Sequence, residues 1–363
     1  MKKGERMVCI LIDPNYADSV WCKHFLDCLR NELRKNRIPF CEIFETAPDN
    51  AKAVFIIASD YEWTKEAIYQ LNQNGIHPIL ICNHLENLEG CEYSCVSSDL
   101  NGSMKSLLDE INAAGRCNIA LYGVNTNSIS DIGKADALFS WKDNRFRHVK
   151  VFHNDGSLQG CYESFLPLVK DFDTVICTND FAAVSLVKNL KRDAPDALKR
   201  MTVLSMARSV ISEYYRDSIT SIDIDYEQYG KAAVFIYKSQ EKHAFISNIT
   251  VNVPWRIDKT NPSKGRKESV LNLPESHDAF YHDAEINEML KIEKLLNLCD
   301  ATDKIIISGL LHKLSYENIG QTCFLSENAI KYRIKRLLND SGISDKSVLL
   351  HLLNEYFPNL KTL

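Results

Sequence analysis

Thr174-Val175-Ile176-Cys177-Thr178-Asn179-Asp180-Phe181-Ala182-Ala183 is a short apolar run that stops at a polar pair and passes directly into a helical pattern. The apolar run shows no alternation. A strand of that kind is buried on both faces, which is the condition of a parallel sheet covered by helices. The same unit recurs in both directions along the chain. Strands are predicted at residues 8–12, 40–44, 53–58, 78–82, 118–122, 150–152 and 201–205, as well as 174–178. Amphipathic helices lie between most of them. In residues 21–35, for example, Phe25, Leu26, Leu29 and Leu33 share one face while Arg30, Arg34 and Lys35 fall elsewhere. Strand–helix–strand repetition over residues 1–257 predicts an α/β module built on parallel sheets.

Ligands of such sheets bind beyond the C-terminal ends of the strands. Polar residues gather at those ends: Asp13, Asn15 and Tyr16; Ser59, Asp60 and Tyr61; Asn83 and His84; Asn125, Thr126 and Asn127; Asn179 and Asp180. Each group is also ordinary turn chemistry, but their recurrence points to a lined cleft. No glycine-rich phosphate loop is present. Ser185 and Lys188 have the spacing of a catalytic pair but lie within a predicted helix and read as its surface. With no nucleophile, base and oxyanion set, enzymatic activity and a cofactor are not expected. Cys91 and Cys95 lack the second pair that structural zinc needs, so no metal is expected either.

The 363 residues are 45% hydrophobic and 25% charged, an ordinary globular composition. No run approaches the ~20 apolar residues of a membrane span. The first apolar segment is too short and too soon polar for a signal peptide. A cytoplasmic protein with no membrane partner is expected, and its twelve cysteines fit a reducing compartment as buried thiols. The net charge is −5, so contact with nucleic acid requires a local basic patch.

Several segments of this module together resemble the sensor domains of the LacI/GalR family. Thr178-Asn179-Asp180 through Ala183 resembles their "(A/T)-N-D-x-x-A" turn. Val96-Ser97-Ser98-Asp99, Gly115-Arg116-Cys117-Asn118-Ile119-Ala120, and Ile219-Thr220-Ser221-Ile222 with Tyr226 and Gly230 resemble further family steps in the same order. The resemblance runs from about residue 7 to residue 257. It implies a periplasmic-binding-protein-like type I fold: two Rossmann-like lobes with a small-molecule effector between them, and crossovers near residues 115, 224 and 252. Position by position, Asn179 falls on an asparagine that hydrogen-bonds ligand, and Lys134 on a ligand-clamping arginine. Ala207 and Ile224 replace polar ligand-binding positions, which argues against an ordinary sugar, because buried hydroxyls need partners. The expected ligand set is Asp13, Tyr16, Asp60, Asn125, Lys134 and Asn179. Aromatic residues near this cleft (Tyr16, Trp21, Tyr61, Trp63 and Trp141) suit either a flatter, more apolar ligand or the core. The family carries its DNA-binding headpiece before the first strand, where this chain has six residues.

Residues 258–283, polar and containing Pro262, Gly265 and Pro274, read as a linker. Helical periodicity returns at 284–299 through Ile286, Met289, Leu290, Ile292, Glu293, Leu295 and Leu296, a helix apolar enough to require a partner surface, either in the same chain or in a second subunit. Residues 300–363 read as four short helices: 303–312, 316–322 capped by Ser315, 327–340 capped by Ser326, and 346–356. In the third, Ile330, Ile334, Leu337 and Leu338 face inward. Lys331, Tyr332, Arg333, Lys335 and Arg336 are left largely outside, either as a solvated stripe or as a face for a DNA groove. Ser315 through Arg333 resembles the LuxR-type helix-turn-helix pattern, departing at Asn318, Gly320, Cys323 and Ala329. That resemblance implies a DNA reader that begins at Ser326 and Asn328. Lys331, Tyr332 and Lys335 then face base edges, and Arg333, Arg336 and Lys346 hold phosphates. The expectation is a homodimeric, ligand-responsive regulator of double-stranded DNA. The alternative is a regulator whose sensor-like module binds a protein partner instead of a small molecule.

Overall fold

The apolar runs assemble into two six-stranded sheets in the computed structural model, which describes residues 7–44, 51–82, 91–243, 248–257 and 282–358. The expected linker therefore lies almost wholly outside the described residues, as do Asn83 and His84. Lobe one contains β1 (Val8–Ile12), α1 (Val20–Lys35), β2 (Phe40–Ile43), β3 (Ala53–Ile57), α2 (Tyr61–Gln73), β4 (Ile79–Cys82) and β5 (Ser94–Ser98). The chain then crosses to lobe two: α3 (Leu100–Ala113), β6 (Asn118–Val124), α4 (Ile129–Trp141), β7 (His148–His153), α5 (Leu158–Phe165), β8 (Thr174–Cys177), α6 (Asp180–Asp193), α7 (Pro195–Arg200), β9 (Thr202–Met206), α8 (Val210–Glu213) and β10 (Ile219–Asp223). It returns for α9 (Tyr226–Lys242) and β11 (Thr250–Val253) and crosses once more into β12 (Arg256–Ile257).

The sheet orders are β11-β5-β4-β3-β1-β2 and β12-β10-β9-β8-β6-β7. Every pairing is parallel except that of β12 with β10. In β1, β3 and β8 every residue is buried, as continuous apolar strands require. The first crossover falls immediately after β5 and not near residue 115. The reason is packing: Met104, Leu107, Leu108 and Ile111 of α3 join Ile119, Leu121 and Leu138 in the core of lobe two. Periodicity missed β5 and β10 because serine and threonine interrupt them. Ser94 and Ser97 are nevertheless buried, and the Ser94 hydroxyl accepts from the Ile249 amide and the Gln240 side chain.

The C-terminal helices are α10 (Ala284–Leu298), α11 (Ala301–Leu311), α12 (Tyr316–Cys323), α13 (Glu327–Ser341) and α14 (Lys346–Tyr356). Each begins at an aspartate or serine whose side chain accepts from a first-turn amide. Ile306, Leu310, Ile319, Ile330 and Ile334 form a small core of their own. The apolar face of α10 finds its partner within the chain. Ile286, Met289, Ile292, Leu295 and Leu296 belong to one continuous core with Leu186, Val187 and Ile211 of lobe two and Leu337, Leu349 and Leu353 of the C-terminal unit. The C-terminal unit is thus seated on lobe two through α10. No described helix is long and apolar enough to cross a membrane.

Candidate binding cleft and candidate nucleic-acid interface

The C-terminal strand ends of the two sheets face each other across a cleft of about 940 Å³, part of it open to solvent. Tyr16, Asn125, Lys134 and Asn179 line it, together with Trp21, Phe25, Phe181, Trp255 and a set of serines. Ala207 and Ile224 line it too, so the two apolar replacements do face the space. The lobes touch along one rim through Ser59, Ser128 and their neighbours, and again where Tyr226 meets Ala207. The Ile129 amide donates to the Ser59 carbonyl at 2.9 Å, the Ser59 and Ser128 hydroxyls lie 2.9 Å apart, and Asn125 Nδ2 reaches Tyr16 Oη at 3.4 Å.

Two of the expected ligand residues are used elsewhere. Asp13 is fully buried and accepts from the amides of Asn15, Ser59 and Asp60, which makes it the pin that holds the β3–α2 turn. Asp60 caps α2 through the Trp63 amide at 2.8 Å. Lys134 lines the cleft, but its ammonium already donates to Asp131 Oδ1 at 2.8 Å and to the Thr178 carbonyl at 3.0 Å. Its charge is neutralised within the wall. Asn179 spends its carbonyl oxygen capping α6 through the Ala182 amide at 2.9 Å, and its Nδ2 meets Thr178 Oγ1 at 3.3 Å. The aromatic expectation is half corrected. Tyr16 and Trp21 line the cleft, whereas Trp63 packs on the outer layer of lobe one and Trp141 lies beneath Lys105. Phe25, Phe181 and Trp255 take their place; no sequence signal separated these three from core.

Burial pushes Asp13 up to about 6 from an ordinary value of 3.8, with its three amide donors pulling the other way. The folded chain therefore holds this proton more tightly than the unfolded chain. The contribution of Asp13 to stability is greatest below pH 4 and falls as pH rises through 6. Urea midpoints of the wild type at pH 4.5 and pH 7 are expected to show this fall, and Asp13→Asn to lose that part of the pH dependence. Identical pH profiles for the two proteins contradict it.

One turn links the cleft to everything around it. Between β9 and α8, Ala207 and Arg208 both have positive φ, 103° and 53°. Neither is glycine, so the turn is sterically strained and must be held from outside. From lobe one, Tyr226 Oη donates to the Ala207 carbonyl at 3.3 Å. From lobe two, the buried Asp180 carboxylate accepts from the Ser209 amide and the Ser205 hydroxyl, and Arg208 pairs with Asp223 at 3.0 Å. From the C-terminal unit, Glu293 of α10 accepts from the amides of Val210 at 2.8 Å and Ile211 at 2.7 Å. Glu293 is 3% exposed. The sequence pattern includes this glutamate among the periodic residues of α10 but gives it no role.

The outer face of α13 is divided. Arg333 and Arg336, expected to hold phosphates, instead converge on Asp303 of α11, at 2.6 Å and 2.7 Å, and Arg333 also reaches Asp300 at 3.0 Å. The Asp303 side chain is 0% exposed. These guanidiniums tie α13 to α11. Lys331, Tyr332 and Lys335 remain exposed, with Tyr332 at 70%. The Tyr316 ring lies between Lys331 and Lys346, their ammonium groups 5.7 Å and 5.3 Å from its centroid, so two cations are positioned beside α13. Ser326 is committed to its cap, accepting from the Ala329 amide at 3.3 Å, and Asn328 is exposed at the start of the helix.

Two parallel-sheet lobes joined by three crossing segments around one cleft define a protein of the periplasmic-binding-protein-like type I fold. Among solved structures, the chain is similar to the Lac repressor bound to ONPG (TM-score 0.58, 10% identity, 71% of this chain and 82% of that one). It is also similar to a LacI family transcriptional regulator from Weissella paramesenteroides with bound glucose (TM-score 0.53, 18% identity, 70% and 97%). A third is an ABC transporter solute binding protein from Bacillus halodurans with bound myo-inositol (TM-score 0.54, 14% identity, 70% and 94%). No family model matches the sequence, and no curated protein does.

Proposed function

We propose that the chain is a ligand-responsive transcription regulator, with an effector held between the lobes and double-stranded DNA read by α13. The carrying observation is the exposed face of Lys331, Tyr332 and Lys335 on a helix whose opposite face is packed into its own small core. A helix fits the major groove, where lysine donates to guanine O6 and N7. Nearby cations such as Lys346 neutralise phosphates. This reader is rooted on lobe two through α10. The similar regulators with bound small molecules support the cleft assignment. The reading entails no catalysis.

Coupling follows from the strained turn at 207–209. It contributes Ala207 and Ser209 to the cleft wall, and Glu293 grips its continuation into α8. An effector that favours one lobe arrangement shifts this turn and, through Glu293, the seat of α10. In a homodimer, the spacing of two readers against paired half-sites changes accordingly.

The test uses the full-length chain to select a duplex from a randomised library. Lys331→Ala and Lys335→Ala are each expected to weaken binding to that duplex by about 1–3 kcal/mol. Wild-type affinity in both variants removes α13 from the reader role.

A further inference from the structure

Phe324 joins two features that each disfavour it. Its side chain is 94% exposed, and its backbone is left-handed, with φ 57° and ψ 40°. An aromatic residue there is a steric outlier; glycine or asparagine adopts the same conformation with less strain. The turn cannot relax to relieve it. The Phe324 amide is bound to the Gly320 carbonyl. A Cβ on Gly320 would lie 2.5 Å from the Leu325 carbonyl oxygen, so backbone meets backbone at this point. The ring is thus exposed to solvent on a fixed backbone two residues ahead of Ser326, which caps α13.

A duplex presents apolar carbon surfaces at that place: thymine methyl groups in the major groove and deoxyribose along its edge. We propose that Phe324 is a DNA-contact residue that lays its ring on such a surface beside the groove entered by α13. The inference rests on the DNA-reading assignment of that helix. It explains why an exposed aromatic occupies a position where asparagine would fold more easily, since the strain is offset only in the complex.

The experiment compares wild type, Phe324→Asn and Lys335→Ala on a duplex selected by the wild-type full-length chain. Phe324→Asn is expected to melt at the same or a higher temperature while binding roughly fivefold more weakly or worse, as loss of aromatic burial requires. The slope of log affinity against log salt stays at the wild-type value, because no phosphate contact is lost. Replacing thymine by deoxyuracil in the duplex distinguishes the two surfaces. If the methyl group is the contact, the gap between wild type and Phe324→Asn closes; if deoxyribose is, the gap persists. Wild-type affinity in Phe324→Asn, with Lys335→Ala weakened, overturns this inference and leaves the reader assignment standing. A Phe324→Asn chain that sediments at a lower mass overturns it too, since the ring then serves a second copy. If Lys335→Ala also binds normally, the reader assignment falls and takes this inference with it.

Discussion

Glu293→Ala is expected to cost about 3–5 kcal/mol of stability and to loosen the C-terminal unit from lobe two. The carboxylate is buried and accepts hydrogen bonds from two backbone amides. Bonds to a charged partner contribute about 1.5–3 kcal/mol each, and the orphaned amide of Ile211 is itself buried. Hydrogen exchange reads the result directly: the amides of Val210 and Ile211 lose protection while those of β1 and β3 keep theirs. Glu293→Gln retains one acceptor and should fall between the two. The same variants test coupling. If the turn at 207–209 is the route from cleft to reader, Glu293→Ala keeps its affinity for a selected duplex but loses any modulation of it by a cleft ligand. Undiminished protection at residues 210 and 211 rejects the clamp outright.

The second large effect is expected at Asp303. Its carboxylate holds Arg333 and Arg336 and closes a capping box with Asp300. Asp303→Ala removes all three contacts at once. A fully buried ion pair broken on one side costs about 3–5 kcal/mol. Here Arg333 and Arg336 are 25% and 39% exposed and can turn to water, so about 2–4 kcal/mol is the better expectation. Urea unfolding followed on the C-terminal helices measures it. The released guanidiniums have a second consequence. They become available to phosphates, so binding to a mixed-sequence duplex should grow more salt-dependent in Asp303→Asn, whose fold is better preserved. A salt slope equal to that of the wild type would mean that both arginines stay engaged with protein.

The contrast between Arg333 and Lys331 shows where sequence reasoning reached its limit. Helical spacing placed both outside the apolar stripe of Ile330, Ile334 and Leu337, and the structure agrees that neither is core. Spacing within one helix says nothing of an acidic residue thirty positions away on another. Asp303 lies outside any pattern that includes α13, yet it decides which cations stay exposed. Asp13 and Asp60 make the same point in the cleft. They stand at strand ends, where ligand-binding residues are sought, but a polar side chain there can equally be consumed by the turn that follows. Gly320 ran the other way. In the sequence it is one of four departures from a helix-turn-helix pattern, with no role attached; in the structure, a side chain at that position would collide with the Leu325 carbonyl.

Periodicity alone located α1 and all five C-terminal helices to within two residues, because their apolar faces and N-caps are local properties of the chain. Uninterrupted apolar runs likewise identified most strands of both sheets, since burial on two faces leaves no alternation to misread. The tertiary structure alone decided three things: that α3 belongs to lobe two, that α10 roots the C-terminal unit on that lobe, and that a strained turn is gripped by Tyr226, Asp180 and Glu293. Each depends on groups far apart in sequence meeting in space, and a charge or hydroxyl acquires its role only from the partner it meets there.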